Sequence, residues 1–73
     1  MPLLVTFDDR PVRYHCRREG GLLLTFVAPQ IGASGERRFV THAEWRLRSR
    51  RVFYPAGLKP DVRALAAQAA VVV

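Results

Sequence analysis

The residues whose types and spacing suit chemistry are basic side chains placed two apart. Residues 37–51 read Arg-Arg-Phe-Val-Thr-His-Ala-Glu-Trp-Arg-Leu-Arg-Ser-Arg-Arg, in which an apolar and a basic set alternate. Successive side chains of a strand point to opposite faces. Extended geometry therefore places Phe39, Ala43, Trp45 and Leu47 on one face and Arg38, His42, Arg46, Arg48 and Arg50 on the other. A second basic series, Arg13, His15 and Arg17, alternates with Val12, Tyr14 and Cys16. If both strands share a face, Arg13, His15, Arg17, Arg46, Arg48 and Arg50 converge. Guanidinium groups in such an array present planar donors to phosphate or carboxylate. The expected contact set is Arg13, Arg17, Arg38, Arg46, Arg48 and Arg50, facing nucleic-acid phosphates or an acidic protein surface. The plainer use of the same row is a solvated face that blunts the edges of a small sheet.

Other chemistries fit less well. His15, Cys16 and His42 are possible zinc ligands, but adjacent strand residues diverge and no CxxC or HxxxH spacing is present. No metal and no cofactor is expected. A Cys-His nucleophile would need an acid to orient the imidazole, and none is clearly placed for it. Gly32-Ala33-Ser34-Gly35 lacks the Lys-Ser/Thr that follows a phosphate-binding loop. The chain therefore reads as non-enzymatic. Phe7, Tyr14, Phe26, Phe39 and Trp45 fall mostly on the apolar registers, which predicts core packing. That placement disfavours base stacking, and with it single-strand binding, and favours contact with phosphates or carboxylates.

The elements that must position these groups are mostly strands. Leu3–Phe7 alternates and is rich in strand formers, and the Asp8-Asp9-Arg10-Pro11 cluster is turn chemistry. Residues 12–18 alternate again before Glu19-Gly20-Gly21, which suits a tight hairpin. Residues 22–28 are apolar on both faces, as in a central strand, with Pro29 ending it and a loop over residues 30–35. Thr41-His42-Ala43-Glu44 also matches a helix capping box with Val40 and Trp45 as its staple. The period of two through Trp45 to Arg50 favours a strand, because a helix would scatter Ala43, Trp45 and Leu47 around its axis. Val52-Phe53-Tyr54 gives a last short strand after a bend near Ser49. Asp61 can cap a helix whose Val62, Leu65, Ala66 and Ala69 recur at helical spacing. The predicted architecture is α+β: an antiparallel sheet of four or five strands, as a meander or half-open barrel, with one C-terminal helix.

Within that frame, Thr41-His42-Ala43-Glu44-Trp45, Ser49 to Pro55 and Lys59 resemble the recognition-helix and wing region of small phage excisionases. The resemblance covers under a third of the chain. That family begins with a helix where this chain begins with two strand-like segments, so no residue role is transferred.

Length and charge bound the rest. At 73 residues the chain is a single domain, 1–73, with 49% hydrophobic and 25% charged residues, an ordinary globular balance. Twelve Lys+Arg against six Asp+Glu leave a net charge of +6, and of the basic residues only Lys59 is not arginine. Such an excess favours nucleic acid or an acidic surface as partner. A single cysteine and a start without signal-peptide features predict an intracellular, cytoplasmic protein. No apolar run approaches the roughly 20 residues that span a bilayer, so no membrane partner is expected. Three functions fit: a basic module on nucleic-acid phosphates, an inhibitor or modulator of phage or mobile-element type docking on an acidic protein, or a subunit of a homo-oligomer or larger assembly.

Overall fold

The computed structural model describes residues 3–7 and 10–70, with side-chain surroundings from residue 12 onward. Five strands, β1 (Leu3–Phe7), β2 (Arg10–Glu19), β3 (Leu23–Ile31), β4 (Arg37–Arg46) and β5 (Arg51–Phe53), precede one short helix, α1 (Val62–Gln68). The strands lie in sequence order and each neighbouring pair is antiparallel, so the α+β meander expected from the sequence is the fold. No helix among the described residues is long and apolar enough to cross a membrane.

Local chemistry accounts for the connections. The β2–β3 turn holds Gly20 and Gly21 at φ 57 and 69, and the Leu22 amide donates to the Glu19 carbonyl at 3.1 Å. Two consecutive residues at positive φ give the turn twist that matches paired strands, and glycine reaches that region without a Cβ clash. The expected turn after β1 falls partly on Asp8 and Asp9, outside the described residues. Arg10 and Pro11 already belong to β2, where Pro11 faces Thr6.

Pro29 does not end the third strand, which continues through it to Ile31. The last β2–β3 rung is His15↔Val27, and the preceding residues of β2, Arg10 to Tyr14, pair with β1 instead. Among the described residues, β3 beyond Val27 has only β4 as a hydrogen-bonded neighbour, and proline is tolerated where a strand has become an edge.

The ladder defines two faces. Cys16, Leu24, Phe26, Ala28, Ala43, Trp45 and Val52 occupy one register, and α1 covers it with Val62, Leu65 and Ala66. Tyr14, Leu24, Phe26, Ala43 and Leu65 are fully buried there. The Asp61 carboxylate accepts from the Arg63 and Ala64 amides at 3.1 and 3.2 Å, satisfying two of the first-turn donors. The cap and the buried helix positions Val62, Leu65 and Ala66 match the sequence expectation, with Ala69 half-buried. Residues 71–73 lie outside the described residues.

The face assignment of β4 needs correction. Phe26 faces Ala43 but Val27 faces Thr41, so His42 is an extra residue in the ladder, a β-bulge. Because strand side chains alternate, one inserted residue exchanges the faces of everything before it. Trp45 and Ala43 point to the helix-covered face as expected. Phe39 is instead turned to the open face, and Arg38 moves to the register of Ala28 and Val40. Residues 41–46 are strand, not helix, so the excisionase-like helix is absent. The strand stops at Arg46, and residues 47–50 form a turn with Arg50 at φ 61.

Candidate functional site

The open face of the sheet carries the candidate site. Its register comprises Arg13, His15, Arg17 and Glu19 on β2, Leu23, Thr25, Val27, Pro29 and Ile31 on β3, Arg37, Phe39, Thr41, Glu44 and Arg46 on β4, and Arg51 and Phe53 on β5. Of the arginines expected to act together, Arg13, Arg17 and Arg46 share this face and are exposed. Arg38 does not join them, because the bulge at His42 reverses its direction. Arg48 and Arg50 do not either, since the strand has ended. Arg50 instead lines a cleft of about 270 Å³ with Trp45, Leu47, Val52, Val62 and Arg63, on the helix side.

Two groups of residues join the face that alternation alone did not place there. Arg51 lies directly opposite Arg46, and Arg37 faces Ile31. Phe39 and Phe53 are also on this side, 56% and 41% exposed. The only hint in the sequence is the adjacent apolar pair Phe39-Val40, which leaves the register upstream of His42 ambiguous.

The two exposed phenylalanines described on this face, Phe39 and Phe53, each have a cationic neighbour. The Arg17 guanidinium carbon lies 5.9 Å from the Phe39 centroid and that of Arg46 lies 4.9 Å from the Phe53 centroid. His15 meets Phe39 edge-on at 5.6 Å, with an interplanar angle of 86°. The Arg17 and His15 contacts with Phe39 bridge β2 and β4 above β3 and explain why Val27, on the open face, is only 4% exposed, while Arg46 with Phe53 joins β4 to β5. At exposed sites a cation–π contact contributes about 0.5–1 kcal/mol, so these arginines are positioned but free to exchange partners. Among the described residues, the partners of Arg17 and Arg46 are rings, not carboxylates.

The charge arrangement is lopsided. Like charges directly opposite on neighbouring strands repel, yet Arg46 and Arg51 occupy such a pair, with Glu44 two rungs away facing Phe53. Arg13, Arg17, Arg37, Arg46 and Arg51 outnumber Glu19 and Glu44 on the face. The pair is a place where an anion would relieve a repulsion built into the sheet.

The bulge residue has a structural role of its own. His42 Nδ1 is 2.9 Å from the Tyr14 hydroxyl, and the rings meet at 5.4 Å and 71°. Burial lowers the His42 pKa and raises that of Tyr14, so a neutral imidazole and a neutral phenol share this hydrogen bond. Burial also raises the Cys16 thiol, with Arg18 opposing, which favours the protonated form. No cluster of three or more His, Cys, Asp or Glu able to hold a metal is present among the described residues.

No family model, curated protein or solved structure matches the chain. Function therefore has to be argued from the chemistry of this face.

Proposed function

We propose that the protein is a non-enzymatic basic module that binds the phosphate backbone of nucleic acid through the open face of its sheet. The observation that carries this reading is the directly opposed Arg46–Arg51 pair on the same face as Arg13 and Arg17. Phosphates beside these groups replace repulsion with charge-assisted hydrogen bonds. With a net charge of +6 the whole chain favours a polyanion. Backbone contacts position the ligand and read no base sequence.

Docking on an acidic protein would use the same arginines but also needs an apolar anchor. Within residues 22–28 only Leu22, at the turn end, is exposed, at 56%, and the interior of the strand is covered. Val27 and Thr25 are covered on the open face, and Leu24, Phe26 and Ala28 are buried beneath the helix. Phe39, Phe53 and Ile31 are apolar and exposed beside the arginines, so the choice of nucleic acid rests on the net charge of +6 and the opposed Arg46–Arg51 pair, not on the lack of an anchor.

The test is fluorescence anisotropy of labelled oligonucleotides titrated with protein across a range of salt. Binding should weaken steeply as salt rises, and Arg46→Ala with Arg51→Ala should flatten the slope of log K against log salt by about 1.5–2. An unchanged affinity and slope in the double variant would overturn the assignment of this face.

A further inference from the structure

We infer that the ligand of the open face is single-stranded nucleic acid, with bases stacked on Phe39 and Phe53. This rests on the phosphate-binding reading above and specifies its substrate. Phe39 and Phe53 are rings on a solvent-facing sheet surface whose neighbours are cations. The combination occurs twice: Arg17 with Phe39 and Arg46 with Phe53. A nucleotide has the complementary pair of features, a π face and a phosphate, and a single strand repeats them. Each ring–arginine unit can thus take one nucleotide, the base on the ring and the phosphate on the guanidinium.

The spacing suits two stations along one strand of ligand. Phe39 lies at the rung of Pro29 and Phe53 at that of Glu44, which faces Thr25. Four rises of about 3.4 Å and one strand spacing of about 4.8 Å separate them by roughly 14 Å. Base stacking on an aromatic ring is stronger than an exposed cation–π contact. An arriving base therefore displaces the guanidinium from the ring and frees it for phosphate.

The rings also choose between ligands. A duplex keeps its bases stacked on each other and would leave both phenylalanines unsatisfied. An acidic protein would pair the arginines but offers no repeated planar group. Ile31, 71% exposed, and Pro29 extend the apolar end of the face beside Phe39, where a second base edge can rest.

The experiment compares an oligothymidine, an oligouridine and a duplex of equal length against wild type, F39A, F53A, F39L with F53L, and R46A with R51A. The leucine variants keep apolar cover over the sheet while removing the rings, and thermal unfolding checks that each variant is folded. The expected result is tighter binding of single strands than of duplex, with a loss of about 5- to 150-fold per ring removed and duplex affinity unchanged. In F39W, base stacking should quench the added fluorescence above the wild-type Trp45 background. Equal single-strand and duplex affinity, indifferent to the phenylalanines but lost in R46A with R51A, overturns stacking and leaves phosphate binding standing. Failure to bind any of the three at physiological salt overturns both readings and returns the face to an acidic protein.

Discussion

The two faces of this sheet are built from the same residue classes used in opposite ways. On the helix-covered face, Phe26 and Trp45 are buried beneath Val62, Leu65 and Ala66, and the edge of that core is marked by a cation, Arg63, 6.0 Å from the Trp45 centroid. On the open face, Phe39 and Phe53 remain in solvent with Arg17 and Arg46 beside them. A phenylalanine stabilises a fold through the area it removes from water. Phe26 does so fully, while Phe39 contributes mainly by covering Val27. The difference teaches that aromatic content alone does not separate a core from a binding platform. What separates them is whether another layer of structure lies on top.

The strongest way to break this comparison is to truncate both phenylalanines and compare stabilities. Phe26→Ala should cost about 3–5 kcal/mol, a large part of what a domain this size can hold. Chemical denaturation should show it largely unfolded. Phe39→Leu should stay within about 0.5 kcal/mol of wild type, and a loss comparable to Phe26→Ala would show that the open face is a second core.

The helix layer can be weakened without touching the sheet. Asp61→Ala removes the acceptor for the Arg63 and Ala64 amides and should cost about 1 kcal/mol. An unchanged denaturation midpoint would mean that packing alone holds α1 on its face.

The bulge that separates the faces should confer an acid sensitivity. Burial depresses the His42 pKa below its ordinary 6.5, so the folded state prefers the neutral ring. The stabilisation is complete above the unfolded pKa and is lost as pH falls through the lower folded one, because the unfolded chain then binds the proton more readily. Melting temperature should therefore drop as pH falls below the ordinary histidine value of 6.5, and His42→Gln should flatten that decline. An identical profile in the variant would assign the acid sensitivity to other groups.

The smallest effect has the opposite sign. Replacing Arg51 by Glu turns a like-charge cross-strand pair into an attractive one and should raise stability by a few tenths of a kcal/mol, while nucleic-acid affinity falls. A variant that lost stability would show that the Arg46–Arg51 juxtaposition is already compensated in the free protein.

Much of the fold was legible because its signals are local. Alternation over residues 12–18, two glycines where the first hairpin needs positive φ, and Asp61 ahead of Val62, Leu65 and Ala66 all lead to the observed elements. The strand character of residues 41–46 was likewise readable from period two, against a competing capping box. The extent of β3 was not, because the tolerance of Pro29 depends on where β2 leaves its neighbour. Nor was the end of β4 at Arg46, which removes Arg48 and Arg50 from the row.

The sequence by itself determined the α+β class, the buried set around Tyr14, Phe26, Trp45 and Leu65, and the excess of arginine. Those follow from periodicity, turn chemistry and composition, each contained within a few neighbouring residues. Which arginines and rings share a face was decided only by the tertiary structure. The register of β4 changes at His42, and that change is defined by pairing with β3 and by the hydrogen bond to Tyr14, 28 residues away in sequence. A period-two pattern cannot reveal an inserted residue whose place is set by a partner strand. One such residue turned Phe39 from expected core into the open face, and Arg38 away from it.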